Sequence, residues 1–357
     1  HLCQELAQVL GQGGAVFIYD TPQRSGRLTE WHQDLLGQVA NFCRARQEYC
    51  FKTETIPQVA ILHSETTYYL HNEPLFNFGR GNQAVEGALH AVLENGYSAD
   101  LLNEEMLLER MGQYPVVLVP EREILPVQVM AALRSYVEQG GRLLMSGAHV
   151  AAQFPELTGT LPVEGAQHGG VYLPADEGAV TVGGAWQVVS LHGAEAVAGM
   201  LNQQDPNVNQ LDAPSATRYR LGNGVVVAVH GPVFESYHGA HYPRLRRYIG
   251  DLIADLDSPG LMHRQGPWFI EIAARQKDDR QLIQLINRAT DGYTAPNRHM
   301  VEHVPDAGPF TLSIPLAERP SRCYMAPETD GLEWTWKDGV LTAQIGGLGI
   351  HNVLVIE

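Results

Sequence analysis

The apolar run Ala15-Val-Phe-Ile-Tyr19 ends in an acid, Asp20, and the turn residues Thr21-Pro-Gln-Arg-Ser-Gly26 add a base before Trp31 follows. Tyr19, Asp20, Arg24 and Trp31 thus place two aromatics, an acid and a base near the end of one strand-like segment. Aromatic faces stack on sugar rings, while a carboxylate and a guanidinium hydrogen-bond hydroxyls, so the set suits a neutral polyhydroxylated ligand. The C-terminal end of a strand is also the side on which (β/α) barrels place substrates. The competing reading is a structural turn in which Asp20 caps the loop and Arg24 pairs with it.

Other reactive residue types are less well arranged. Ser146 and His149 share the turn Ser146-Gly-Ala-His149 and suggest a serine–histidine pair. Residues three apart on a turn rarely align, and no acidic orienter is evident, which favours a turn serine and a surface histidine. His238-x-x-His241 is the closest pair among fifteen histidines. It lacks the Glu of a His-Glu-x-x-His helix, so we expect surface or interface histidines and no bound metal. No Gly-x-Gly-x-x-Gly follows a first strand and no Gly-Lys-Ser/Thr loop occurs, which removes the phosphate cradle of a nucleotide site. No cofactor is expected.

The elements that position these residues are read from periodicity. Leu2 to Leu10 has helical spacing, Ala15–Tyr19 is predicted as a short buried strand, and Thr29 is placed to cap an amphipathic helix to about Tyr49. Its apolar stripe is Trp31, Leu35, Leu36, Val39, Phe42 and Cys43. From Gln58 short apolar strands alternate with amphipathic helices: strands Val59–Leu62, Ser98–Leu102, Val116–Val119 and Arg142–Met145, helices 82–94, 104–111 and 126–139. That pattern predicts a doubly wound, mostly parallel α/β sheet. Strand-like pieces follow in a Gly- and Pro-rich stretch at 171–173, 180–182 and 186–191. A hairpin, 216–229 around Gly222-Asn-Gly224, and a helix from Pro243 to Leu256 complete this region, with the arginines 244, 246 and 247 read as a solvated face. From Leu261 helices cease, and six alternating segments between 268 and 356 describe a small antiparallel β-sandwich.

Bulk composition bounds the partners. At 357 residues the chain exceeds one compact domain. A net charge of −16 with no Lys/Arg cluster argues against a nucleic-acid backbone. No apolar run reaches the roughly 20 residues of a membrane span and no leader opens the chain, so no membrane association is expected. Cys3, Cys43, Cys50 and Cys323 have neither disulfide-scaffold density nor zinc spacing, and we read them as free thiols in a reducing cytoplasm.

Several stretches taken in order resemble the C-terminal half of clan A glycoside hydrolases of the family 42 β-galactosidase type. They are Ile18-Tyr-Asp-Thr-Pro-Gln-Arg-Ser-Gly26 with Trp31-His-Gln33; Tyr136-Val-Glu-Gln-Gly-Gly-Arg-Leu-Leu144; Gly222-Asn-Gly-Val225 with Tyr237 and His241-Tyr-Pro-Arg-Leu-Arg246; and Gln284-Leu-Ile-Asn287. The order of elements over 58–150 also resembles the class I glutamine amidotransferase-like fold. In that family a cysteine nucleophile follows the strand matched by Arg142–Met145. Here Ser146 follows, and no Cys lies between Cys50 and Cys323, so amidotransferase chemistry is excluded. The resemblance implies that residues 1–56 are the last helix–strand–helix of a (β/α)8 barrel, 57–260 an amidotransferase-like trimerisation domain, and 261–357 a C-terminal β-sandwich. The two catalytic glutamates of clan A lie on the fourth and seventh barrel strands, upstream of this chain, so no catalytic residue is carried over. The chain opens at His1, already helical in pattern, and is expected to be cut from a longer protein. The implied function is the C-terminal part of a β-galactosidase-like O-glycosyl hydrolase that forms a homotrimer and shapes the carbohydrate site, without catalysis by this chain alone. Two alternatives stand beside it: a non-catalytic carbohydrate-binding or oligomerisation module, and an independent hydrolase using Ser146 or His149.

Overall fold

A computed structural model describes residues 1–72, 75–76, 81–122, 124–175, 178–209, 211–290, 294–295, 298–299, 301–328 and 331–357. The chain divides into two compact units, one of Pro57–Asn95 and Ala99–Gly260, the other of His1–Ile56, Gly96–Ser98 and Leu261–Glu357.

The first unit is built on a seven-stranded sheet. Its order is Ala99–Leu102, Val59–Leu62, Val116–Val119, Arg142–Ser146, Gly224–Val229, Ala213–Leu221, Glu195–Met200. The pairings among the first five strands are parallel, and those that add the last two are antiparallel. Val59–Leu62 and Val116–Val119 belong to one sheet, as their apolar runs predict, and are direct neighbours in it. Successive strand residues face opposite sides of a sheet, so a strand buried on both faces is apolar throughout. Ala60, Leu62, Val117, Val119, Leu143 and Met145 join Leu107, Val129, Leu133 and Val137 from the helices Glu104–Arg110 and Val127–Glu138 in one core. The alternate residues Val59, Ile61, Val116, Leu118 and Leu144 are equally buried. The helix Gln83–Glu94 lies against Val59–Leu62 and packs on Val233–Ala240 and Pro243–Ala254.

Two features of this unit depart from the sequence reading. The Gly-rich stretch is one long antiparallel hairpin, Thr160–Ala175 with Gly178–Leu191, whose register shifts between Pro162 and Gln167 and again between His168 and Gly170. Those irregularities break the period-2 pattern by which a strand is recognised. A further helix, Glu65–His71, is capped by Ser64, whose Oγ accepts from Thr67 N at 3.1 Å.

The second unit holds two antiparallel sheets face to face. One is ordered Glu54–Thr55, Ile270–Lys277, Arg280–Asn287, His351–Ile356, Cys323–Ala326, and the other His263–Gln265, Phe310–Pro315, Val340–Ile345, Leu332–Lys337. Ile272, Ile283, Leu285 and Leu354 of the first meet Leu312, Ile314, Leu341 and Ile345 of the second. The outer face of the five-stranded sheet is covered from the N-terminal segment: Leu10, Cys50, Leu282, Val353 and Val355 share a core against which Val16, Phe42 and Cys43 pack. The helices there are Leu2–Gly11 and Glu30–Cys50.

The predicted strand Ala15–Tyr19 is not formed. These residues carry no strand pairing, Phe17 is 85% exposed and Tyr19 76% exposed. An apolar pentapeptide becomes a strand only beside a partner that takes up its N–H and C=O groups, and among the described residues no strand of this unit lies in ladder register with it. The stripe of the helix Glu30–Cys50 is likewise split: Val39 is buried, whereas Trp31 and Leu35 are exposed.

Candidate functional site

The four residues expected to bind a sugar lie on one exposed connection, 12–29, and the first turn of the helix Glu30–Cys50. Asp20 does not pair with Arg24. Its Oδ1 lies 3.1 Å from His32 Nδ1 and its Oδ2 accepts from Gln33 Nε2 at 3.3 Å. A carboxylate facing the first turn of a helix is favoured by the unsatisfied N–H groups and dipole there. Thr29 occupies the N-cap position but makes no side-chain cap; its Oγ1 instead accepts from Gln23 Nε2 at 3.2 Å. Trp31 packs edge-on to His32 with ring centroids 4.0 Å apart and leaves its other surface open. Arg24 is exposed and makes no ion pair among the described residues. The structure therefore joins Asp20, His32 and the Trp31 ring in one cluster, and leaves Tyr19 and Arg24 in solvent.

The Ser146–His149 turn borders a different feature. The strands Val116–Val119, Arg142–Ser146 and Gly224–Val229 run parallel, so the residues that follow them emerge at one edge. A cleft of about 670 Å³ opens there, lined by Glu121, Arg122, Gly147, His149, Gln187 and Glu235 among others. Clefts outside the carboxyl ends of parallel strands are where such sheets bind ligands. Ser146 itself is buried, and its Oγ has no hydrogen-bond partner, so it is not joined to His149. The His149 ring instead stacks against Gly147, whose φ of +130° and missing side chain make room for it. A buried, unactivated hydroxyl is no nucleophile, and the serine–histidine alternative lacks its geometry.

Glu121 is the residue of this cleft that sequence reasoning missed. Its carboxyl end is sealed: Oε1 accepts from Phe234 N at 2.8 Å, while Oε2 is buried without a partner. Burial raises its pKa to about 7, against the opposing pull of the Phe234 N–H. The available signal was the charged pair Glu121-Arg122, one proline beyond the end of a fully apolar strand.

The remaining candidates resolve into structural contacts. His238 Nε2 lies 2.9 Å from Glu86 Oε2, and His241 Nδ1 lies 3.7 Å from Glu94 Oε1, so the two histidines meet successive carboxylates of the helix Gln83–Glu94. Tyr237 donates to the same Glu94. No group of three or more His, Cys, Asp or Glu side chains is placed to hold a metal ion among the described residues. Arg244 and Arg247 border, with Tyr242, a second cleft of about 450 Å³. All four cysteines are free thiols, and among the described residues no helix is long and apolar enough to cross a membrane.

No protein-family model matches the sequence, and no curated protein matches it. Solved structures do. The chain is similar to alpha-L-fucosidase isoenzyme 2 from Paenibacillus thiaminolyticus, with a TM-score of 0.80 and 17% identity over 100% of this chain and 57% of that one. It is similar to Gan42B, a GH42 beta-galactosidase from G. stearothermophilus, with a TM-score of 0.60 and 13% identity over 94% of this chain and 45% of the other. A beta-galactosidase from Bacillus circulans sp. alkalophilus gives a TM-score of 0.56 and 15% identity, over 90% and 45% of the two chains. The chain spans about half the length of these structures, and shares the fold of that part of these glycoside hydrolases.

Proposed function

We propose that the chain is the C-terminal part of a glycoside hydrolase, in which it shapes the sugar site and drives self-association while the catalytic carboxylates come from sequence outside it. What supports this reading is the fold likeness over the whole chain to slightly more than half of a fucosidase, together with the apolar surface at the N-terminal segment. Phe17, Ile18, Tyr19, Leu28, Trp31 and Leu35 are all exposed within a stretch of 19 residues. A run of this kind marks a docking surface rather than a solvated loop. In the intact enzyme the neighbouring strands of a (β/α)8 barrel supply the ladder that Ala15–Tyr19 lacks, and residues 1–56 complete that barrel. Asp20 and Trp31 then stand at its C-terminal mouth, where substrates bind. The seven-stranded sheet unit takes the part of the amidotransferase-like trimerisation domain, followed by the C-terminal sandwich.

Glycoside hydrolysis needs two carboxylates flanking the scissile bond. The test is therefore assay of the 357-residue chain, and of the same chain fused to its upstream reading frame, against nitrophenyl α-L-fucoside and β-D-galactoside in parallel. Activity in the longer protein alone, with a trimer by light scattering, is the expected result. Hydrolysis by the isolated chain, or a longer protein inert towards every nitrophenyl glycoside, refutes it.

A further inference from the structure

Arg122 is 7% exposed, and its Nε is sealed without a hydrogen-bond partner. No carboxylate lies within ion-pair distance of it among the described residues. Two are near enough for their charge to be felt, Glu121 and Glu104; both oxygens of Glu104 and one of Glu121 are committed elsewhere, and neither carboxylate is in ion-pair contact with Arg122. Glu104 accepts from Ser64 Oγ at 2.6 Å, Glu65 N at 2.8 Å and Thr66 N at 3.1 Å, which makes it the anchor of the helix Glu65–His71. Glu121 accepts from Phe234 N, and below about pH 7 it is protonated and offers no compensating charge. A guanidinium does not escape burial by losing its proton, as a lysine can. An enclosed cation with unmade hydrogen bonds is costly, and here its side chain lines the 670 Å³ cleft.

We propose that Arg122 anchors a small oxyanion, a carboxylate or a phosphate, in the cleft at the C-terminal edge of the seven-stranded sheet. The planar fork of arginine matches two oxygens of such a group at once. Thr67, His149 and Gln167 line the same space. The volume exceeds that of a bare ion and is in the range of sites for metabolite-sized molecules. Glu235, exposed at the rim, repels a second negative charge. The ligand thus carries one anionic group at Arg122 and hydroxyl or amine groups toward Glu235.

The experiment is thermal unfolding of the full chain titrated with sodium acetate, sodium glucuronate or inorganic phosphate, with sodium chloride at matched ionic strength as control. A saturable rise in Tm with at least one oxyanion is expected. The class that produces it tells carboxylate from phosphate. Arg122→Gln weakens that response about tenfold or more, because a charge-assisted pair is lost. Arg122→Lys restores part of it, and Glu235→Gln strengthens it by removing the opposing charge. No rise beyond the chloride control, or an Arg122→Gln chain that responds like the wild type, overturns the proposal. Should Arg122→Gln fail to fold, Glu235→Gln and the cleft-filling Ala148→Leu decide in its place: unchanged affinity in both overturns it.

Discussion

Arg46 Nε donates to Nδ1 of His351 at 3.0 Å, which forces that ring nitrogen to be the acceptor and leaves Nε2–H to donate to Gln284 Oε1 at 3.1 Å. The neutral tautomer is thereby imposed by a partner that has no lone pair to offer. Arg46 also donates to the His351 carbonyl at 2.8 Å and lies over the Phe42 ring, so the helix Glu30–Cys50 is tied to the last strand through one buried group. Burial, reinforced by the Arg46 charge, lowers the His351 pKa to about 3.

Acid should loosen this unit first at that histidine. The unfolded chain takes up the proton near pH 6.5 and the folded one resists it, so stability falls as pH drops below about 6.5, at roughly 1.4 kcal/mol per pH unit. Urea unfolding at pH 6 and at pH 4.5 should show about 2 kcal/mol more loss in the wild type than in His351→Gln. Equal losses would mean that the folded histidine already accepts the proton.

Glu121 has the opposite dependence. Its folded pKa of about 7 lies above the ordinary carboxylate value, so the folded state holds a proton that the unfolded state has released. Stability then declines as pH rises from about 4.5 to 7 and levels off above. Glu121→Gln keeps the acceptor for Phe234 N and removes the titration. Its stability relative to wild type should be about 3 kcal/mol better at pH 8 than at pH 4.5. The fluorescence of Trp186 reports on this unit alone, since the other four tryptophans, Trp31, Trp268, Trp334 and Trp336, lie in the second.

These groups were not legible in the sequence, and the reason is physical. The central parallel strands Val59–Leu62 and Val116–Val119 are recognisable because each is apolar on both faces, and that they share one sheet follows from it, whereas the order of strands does not. A buried polar residue gives no periodic signal: Gln284 and His351 sit in alternating strands like any surface residue would, yet Gln284 accepts from Cys50 and donates to the Tyr49 carbonyl in the core. Ala15–Tyr19 failed for the converse reason, because apolarity reports a wish for burial and says nothing about whether a ladder partner is at hand. Asp20 was found by residue type, but its true partners, His32 and Gln33, are 12 and 13 residues away.

The stretch Tyr136 to Leu144 has a packing role. The Tyr136 hydroxyl donates toward the Tyr114 carbonyl at 3.0 Å and accepts from Arg142 N at 3.2 Å, which ties the helix Val127–Glu138 to the strand Arg142–Ser146. A Cβ on Gly141 would lie 2.4 Å from the Tyr136 ring. Gly141→Ala should therefore destabilise by about 1–3 kcal/mol, the range for overpacking a core. The double change Gly141→Ala with Tyr136→Ala should be less damaging than the sum of the two. Additive losses in a urea series would show that the ring is free to move aside.

The last expectation concerns Asp20 and Trp31 in the longer glycoside hydrolase proposed above. Asp20 is the one charged group that the structure fixes at the exposed N-terminal connection, by two bonds to the first helical turn, and the open face of Trp31 is one residue from His32, the partner in the shorter of those bonds. If this cluster borders the sugar, Asp20→Ala removes a hydrogen bond to a charged acceptor, about 1.5–3 kcal/mol, and lowers kcat/KM about ten- to a hundredfold. Trp31→Ala should raise KM through loss of stacking while leaving the fold intact, because the ring is 65% exposed. A merely structural Asp20 predicts a different pattern. Its loss would free His32 and Gln33, lower Tm and leave activity per folded molecule unchanged. Gln33→Ala separates the two, since it breaks one of the same bonds and spares the carboxylate. Kinetics and melting temperature of the three variants together carry the test, and near wild-type kinetics in both Asp20→Ala and Trp31→Ala would sink the assignment.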